Sequence, residues 1–362
     1  MLSILVIAAY LAFWPVPIEA VSWKAPTAPG YQGAHAVNSK LTGQRRISLD
    51  AEQGPEHIVF GRDGLLYTAV ASGHILRMDR DGGAQTVFAS TGGRPLGLDF
   101  DPDGNLIVAD AIKGLLSVAP DGKVTPLTDA VDGKAIGFAN AVVVARDGKI
   151  YFSDASERFT TAQWGGTEAA AMLDVMEQSA TGRVLKYDPA ANITRVVATG
   201  LSFANGIVLS ADQRHLFVAE SGRYRVWKIA VTADRLDVAQ SSPQAQAKAQ
   251  AQVLVDNLPG YPDNLTQGTS GKIWLGLAGQ RNDLDAMSER PYLRELALRI
   301  PRFMWSMPKP YGHVIALNED GKVVDDLQDP SGASALTTGV TETADRLYIH
   351  NANGGSLGWL AK

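Results

Sequence analysis

The stretch "IVFGRDGLLYTAVASGHILRMD", residues 58–79, holds a short apolar run, an Asp-Gly turn, a second apolar run, a Gly-containing turn and a third run. Asp-Gly between alternating apolar segments is a strong hairpin signal, because both residues tolerate the φ > 0 that tight turns need. Variants of the phrase return as "LDFDPDGNLIVADAIKGLLSVAPDG" (98–122), "VVVARDGKIYFSDAS" (142–156) and "IVLSADQRHLFVAESGRYRVWKI" (207–229). Two more are "LTQGTSGKIWLGL" (265–277) and "VTETADRLYIHNANGGSLGWL" (340–360). No helical period survives across them. The copies begin near residues 54, 93, 138, 204, 263 and 337, at spacings of 39, 45, 66, 59 and 74 residues. Such spacings suit four-stranded sheets with insertions of variable length. The expected fold is all-β: a six-bladed β-propeller, whose radial repetition leaves only short edges exposed. A β-sandwich has comparable hairpins but does not account for the repeat. The last copy is short, so "GQRRISLD" (43–50) is expected to complete the final blade and close the ring over residues 41–362.

Three segments interrupt the pattern. "ERFTTAQWGGTEAAAMLDVMEQSATG" (157–182) falls in blade three and reads as partly helical; "SSPQAQAKAQAQ" (241–252) reads as a low-complexity surface spacer. In "MSERPYLRELALRIPRFMWSMPKP" (287–310), Ser288 is the expected N-cap, with Pro291 in the first turn. Leu293, Leu296, Ile300, Phe303 and Met307 follow helical spacing, and Pro301 should bend the run. Arg290, Arg294, Arg299, Arg302 and Lys309 make the other side basic, as expected of a lid or of a face that meets an anionic membrane.

Composition narrows the function. Of 362 residues, 45% are hydrophobic and 20% charged, with a net charge of −5, which describes a folded body with no basic block for nucleic acid. The absence of cysteine excludes disulfides, thiolate metal sites and Cys nucleophiles. The first twenty residues, "MLSILVIAAYLAFWPVPIEA", carry no charge from 2 to 18. About 16 such residues fit a signal-peptide core or a short membrane helix. The expectation is a membrane anchor over 1–20, a connector over 21–40 and a body on the extracytoplasmic side. The alternatives are secretion after cleavage near Ile18-Glu19-Ala20, or a helix buried in the body.

A propeller's innermost strands all run one way along the channel, so the residues that begin them converge on one mouth. At those points stand Glu56, Asn140, Asn205, Asp263 and Asn264: two carboxylates and three carboxamides from four blades. Each alone could be a turn residue. Together, an oxygen-only set with two negative charges suits a hard divalent cation. Calcium fits best, accepting six to eight oxygens at flexible geometry; zinc would want His or Cys.

"GRPLGLDFDPDGNLIVADAIKGLL", "GLSFANGIVLSADQRHLFVAE" and "LPGYPDNLTQGTSGKIWLGL" resemble the strictosidine-synthase-like family, including its adipocyte plasma-membrane-associated type. More distantly the chain is similar to paraoxonases and senescence-marker-protein gluconolactonases. The resemblance implies one axial calcium ion, held in paraoxonase-type members by a Glu, two Asn and an Asp-Asn pair. Those positions fall on Glu56, Asn140, Asn205, Asp263 and Asn264. It also implies a single N-terminal membrane anchor. Departures limit the chemistry. The catalytic Glu of strictosidine synthase aligns with Thr338, with Glu342 four residues on, which disfavours amine–aldehyde condensation. A paraoxonase catalytic His aligns with Leu96, and two ligands of a second calcium align with His57 and Ala141, so a single ion is expected.

The implied activity is calcium-dependent hydrolysis of a small-molecule lactone or aryl ester. In that scheme Asp263 or Glu56 is the general base, and Asn140 and Asn205 contact both metal and substrate. His57 is the nearest imidazole in sequence, although it can equally point into the blade. The rival reading is a non-catalytic, membrane-anchored propeller with calcium as a structural pin.

Overall fold

The computed structural model describes residues 2–240, 250–305 and 309–362. Its sheets form a six-bladed β-propeller. Blade one runs through Ile58–Phe60, Leu66–Ala69, His74–Met78 and Thr86–Ser90; blade two runs from Pro95 to Thr128. The inner strands of blades three, four, five and six are Ala139–Val144, Ala204–Leu209, Gly260–Gln267 and Thr337–Glu342. Arg45–Ser48 pairs antiparallel with Ser356–Ala361 as the fourth strand of blade six. The segment expected to close the ring does so. Asp-Gly turns recur as expected, with Gly64, Gly104, Gly122 and Gly148 all at positive φ.

Apolar residues fill the wedges between blades. Val184, Trp227, Ile207 and Leu216 are buried between blades three and four, and Phe217, Leu275 and Ile315 between four and five. Where Gly97 and Gly206 face the next inner strand there is no room for a side chain, and backbone meets backbone. A Cβ on Gly97 would lie 2.7 Å from the Asn140 carbonyl oxygen and 2.8 Å from the Val142 nitrogen of the next blade. Gly206 is pressed in the same way against the backbone of Asp263, Asn264 and Leu265.

The insertions cover one end of the channel. Blade three's insertion forms a helix over Thr167–Glu177 and blade five's forms one over Pro291–Arg299, with Pro291 in its first turn. Four expectations are corrected here. Ser288 is not the N-cap, a place taken by Arg290. Its hydroxyl instead donates to the Asp285 carbonyl and accepts the Ala25 N–H, tying in the N-terminal segment. Pro301 ends the helix rather than bending it, because the residue before a proline is driven to extended backbone, as Ile300 is. Arg294 does not belong to a basic outer face. It is buried, donating to the carbonyls of Met176 (2.8 Å) and Val21 (2.5 Å), because a guanidinium's fork of donors can satisfy carbonyls from two segments at once. Phe303, expected in the apolar stripe, is 87% exposed. Met307 and most of the 241–252 spacer lie outside the described residues.

The apolar N-terminus forms a helix over Leu2–Phe13, and among the described residues no helix is long and apolar enough to cross a membrane. Beyond it the chain is packed onto the body. Ile18 is buried with Phe159 and Leu173, and the Glu19 and Val21 amides donate to Glu177. Trp23 stacks under Arg223, and Leu41 is fully buried between blades five and six.

Because the neighbouring strand leaves no space for a methyl group at Gly97, Gly97→Ala is expected to lower stability by about 1–3 kcal/mol through overpacking. Gly104→Ala serves as a control for the mutation type, since its Cβ would meet nothing and only its φ of +88° resists substitution. Thermal unfolding of the two variants checks this.

Candidate metal centre

Every inner strand from blade two to blade six departs from regular pairing at the same place. Register shifts lie between Pro95 and Gly97, Ala139 and Val142, Ala204 and Ile207, Pro262 and Leu265, and Thr337 and Gly339. A β-bulge re-aims side chains. The residues at these five shifts are Leu96, Asn140, Asn205, Asp263 with Asn264, and Thr338, and Glu56 stands just before the inner strand of blade one. All are buried. The position that sequence assigned to donors in four blades is therefore a repeated irregularity. Blades two and six fill it with Leu96 and Thr338, whose hydroxyl donates to the Glu56 carbonyl at 3.0 Å.

Contacts among these residues are direct. The Asn264 amide donates to the Glu56 carbonyl (3.0 Å) and lies 3.5 Å from its carboxylate. The Asn205 amide donates to Ser221 Oγ at 3.1 Å, and Ser221 donates in turn to the Pro262 carbonyl (2.5 Å). One Asn205 N–H is thus engaged by the protein, and its carbonyl oxygen has no hydrogen-bond partner. Burial and then the Glu56 charge hold the Asp263 carboxyl well above its ordinary range. Burial also raises Glu56, opposed by Arg94 and Asn264.

A cation answers each of these features. Asn140 Oδ1 and Asn205 Oδ1 are buried without a hydrogen-bond partner. An unsatisfied buried polar atom costs on the order of 1–3 kcal/mol. Two such oxygens beside two mutually repelling carboxylates are the donor set of a hard divalent cation, and the residues fit one.

Sequence reasoning missed the parts that hold these loops from behind. Asp110, Asp154 and Glu220 end the second strands of blades two, three and four, and all are buried. They accept the backbone N–H of Arg94 (3.0 Å), Phe138 (2.9 Å) and Ser202 (2.9 Å), two or three residues before the bulge. The signal was in the repeat, as the acid that ends "LIVAD", "IYFSD" and "HLFVAE". Arg94 was missed too: its guanidinium is 3.9 Å from Glu56 Oε2. His57 turns to the neighbouring blades and lines the channel wall. Its Nδ1 accepts the Leu98 N–H at 3.1 Å, its ring packs edge-on to His350, and burial lowers its pKa to about 4. Glu342 sits at the far end of its strand, bound to Trp274 Nε1 (2.8 Å) and Lys362, and does not stand in for the glutamate missing at Thr338.

Above the donors lies a cavity of about 280 Å³ lined by Phe203, Asn205, Tyr261 and Asp263. Met172, Asn282 and Leu284 are shared with a second cavity of about 400 Å³ beside the blade-five helix, also lined by Met176, Met287 and Trp305.

With this geometry in view, the comparisons agree. Residues 56–286 match the SMP-30/gluconolactonase/LRE-like region, and residues 33–78 match the strictosidine synthase-like N-terminal region. The chain belongs to the strictosidine synthase-like branch of the SMP-30/gluconolactonase family. It is 32% identical to the adipocyte plasma membrane-associated protein of Salmo salar, over 95% of this chain and 84% of that one. It is 34% identical to strictosidine synthase-like protein 7 of Arabidopsis thaliana, over 80% of this chain and 72% of that one. Among solved structures, a gluconolactonase from Xanthomonas campestris superimposes with a TM-score of 0.62 at 17% identity, covering 97% of this chain and 98% of that one. A calcium-binding regucalcin from Agrobacterium tumefaciens gives 0.57 at 15%, covering 88% and 93%. At such identities the structures share the fold.

Raised above its ordinary value of 3.8, Asp263 contributes stability in full below that value, and the contribution is lost as pH climbs through the raised one. In chelator-treated protein, Asp263→Asn is therefore expected to flatten the pH dependence of the unfolding midpoint and to raise it at neutral pH. It should also abolish stabilisation by added calcium. Thermal melts between about pH 4 and about pH 8, with and without calcium, read all three effects.

Proposed function

We propose that this protein is a calcium-dependent hydrolase of lactones or aryl esters, with one axial ion held by Glu56, Asn140, Asn205, Asp263 and Asn264. The observation that carries this reading is the pair of unpartnered carboxamide oxygens beside two buried carboxylates, with Asn205 and Asp263 of that set lining a cavity. A bound divalent ion would supply Lewis acidity toward a carbonyl oxygen. The chain supplies the rest. Phe203 and Tyr261 exclude water and present apolar surface to the substrate's ring or acyl part. Ser221 holds the Asn205 carboxamide by its N–H and leaves the carboxamide oxygen without a protein partner. Asp263 is the better placed of the two carboxylates to take a proton from attacking water, since it lines the cavity. Thr338 in place of a glutamate argues against condensation chemistry.

The proposed setting is the extracytoplasmic face of a membrane. The N-terminal helix exposes Ile4, Leu5, Val6 and Phe13, and Phe303 and Met304 are exposed beside the basic Arg302 at the same end of the molecule as the cavity. Twelve helical residues do not span a bilayer, so attachment at the interface suits the helix as described. Relatives named for plasma-membrane association support this setting.

A structural-pin reading draws on the same geometry, because the donors come from four blades and an ion there would tie them together. Chelator-treated full-length protein assayed on lactones and aryl esters separates the two readings. Restored calcium is expected to restore turnover by at least 100-fold, and Asp263→Ala to remove it. Stabilisation by calcium with no turnover of any substrate would favour the pin. Deleting residues 1–14 should abolish binding to anionic vesicles while leaving turnover intact. The cut stops short of Ile18 because that side chain is part of the core.

A further inference from the structure

Far from the axis, the segment that leads to the ring-closing strand crosses the outer strands of blade five. There three groups from distant parts of the chain meet: His35 of the segment, His313 on the third strand and Asp326 on the fourth. His35 Nδ1 lies 2.8 Å and His313 Nε2 lies 2.9 Å from the same oxygen, Asp326 Oδ2, and all three atoms are within 4.8 Å of one another. We propose that His35, His313 and Asp326 form a second metal site, for a zinc-type divalent ion, that fastens the N-terminal segment to blade five.

The chemistry of the donors separates this site from the axial one. Two imidazole nitrogens and one carboxylate oxygen suit zinc, cobalt or nickel, whereas calcium takes oxygen. Three protein ligands leave one position for water.

The carboxylate is also held in place from behind. Its other oxygen, Oδ1, accepts the amides of Asn38 (3.1 Å) and Gln328, and Tyr311 donates to Gln328 Oε1 at 2.6 Å. Partners of this kind orient a ligating carboxylate and leave its free oxygen aimed at the ion. The rings are boxed as well. Tyr31 and Tyr311 pack on His313 at 5.6 and 6.2 Å between centroids, and the His313 backbone exchanges hydrogen bonds with Thr337. Without a metal, the same three groups can form a plain hydrogen-bonded clasp, with each ring donating one N–H to Asp326.

Cobalt distinguishes metal from clasp. Full-length protein, stripped by chelator and then saturated with calcium, is titrated with Co²⁺ and, separately, melted with and without Zn²⁺. One equivalent of cobalt is expected to give a visible ligand-field absorption, and zinc to raise the unfolding midpoint with calcium already present. His35→Gln lies in the surface segment and is expected to weaken cobalt binding at least tenfold while calcium stabilisation is kept. His74→Gln, which removes the imidazole paired with Glu52 on blade one, is expected to leave the cobalt spectrum unchanged. The proposal is overturned if the wild-type chain shows neither absorption nor a zinc-dependent shift. It is equally overturned if His35→Gln binds cobalt as tightly as wild type, or if His74→Gln is the variant that loses the signal.

Discussion

Around the channel the inner strands approach so closely that a methyl group cannot stand between them. Gly97 against the Asn140–Val142 backbone and Gly206 against Asp263–Leu265 are the points where this shows. The bulges lie at those contacts, because a strand at the narrow end of a wedge must bend to stay beside its neighbour. Bending turns one or two side chains per blade toward the axis. The donor set follows from the geometry of closing six sheets into a ring.

That closeness also sets the electrostatics. Glu56 and Asp263 share a buried volume in which two negative charges repel, and Asn140 and Asn205 bring oxygens with no proton to accept. Arg94 relieves part of the strain at Glu56 from 3.9 Å. Asp110, Asp154 and Glu220 hold the preceding loops rigid by their N–H groups, so the donors have little freedom to swing apart. The proposed cation would relieve a site that is costly when empty and cannot relax.

The second set of donors owes nothing to the axis. It arises because the ring is closed by a strand from the start of the chain, which forces residues 31–41 to cross blade five on the way. Around it, the Asn38, His35 and Gln328 contacts and the burial of Leu41 fasten that crossing. A metal bridging His35 to His313 and Asp326 would act on the same step, the closing of the ring.

The repeat of Asp-Gly hairpins determined the six blades, the closing strand and the equivalence of Glu56, Asn140, Asn205, Asp263 and Asn264, because a period of 2 in hydrophobicity and a turn with φ > 0 are local properties. The acids behind the loops were legible in the same repeat, as the residue ending each second strand. What only the tertiary structure decided depends on distant partners. Arg290 rather than Ser288 takes the N-cap, and Arg294 left the basic face to bind two carbonyls, because the N-terminal segment lies against that helix. His35 and His313 stand 278 residues apart in sequence and meet through one Asp326 oxygen. No local pattern encodes such a meeting, since it follows from the path of the whole chain around the ring.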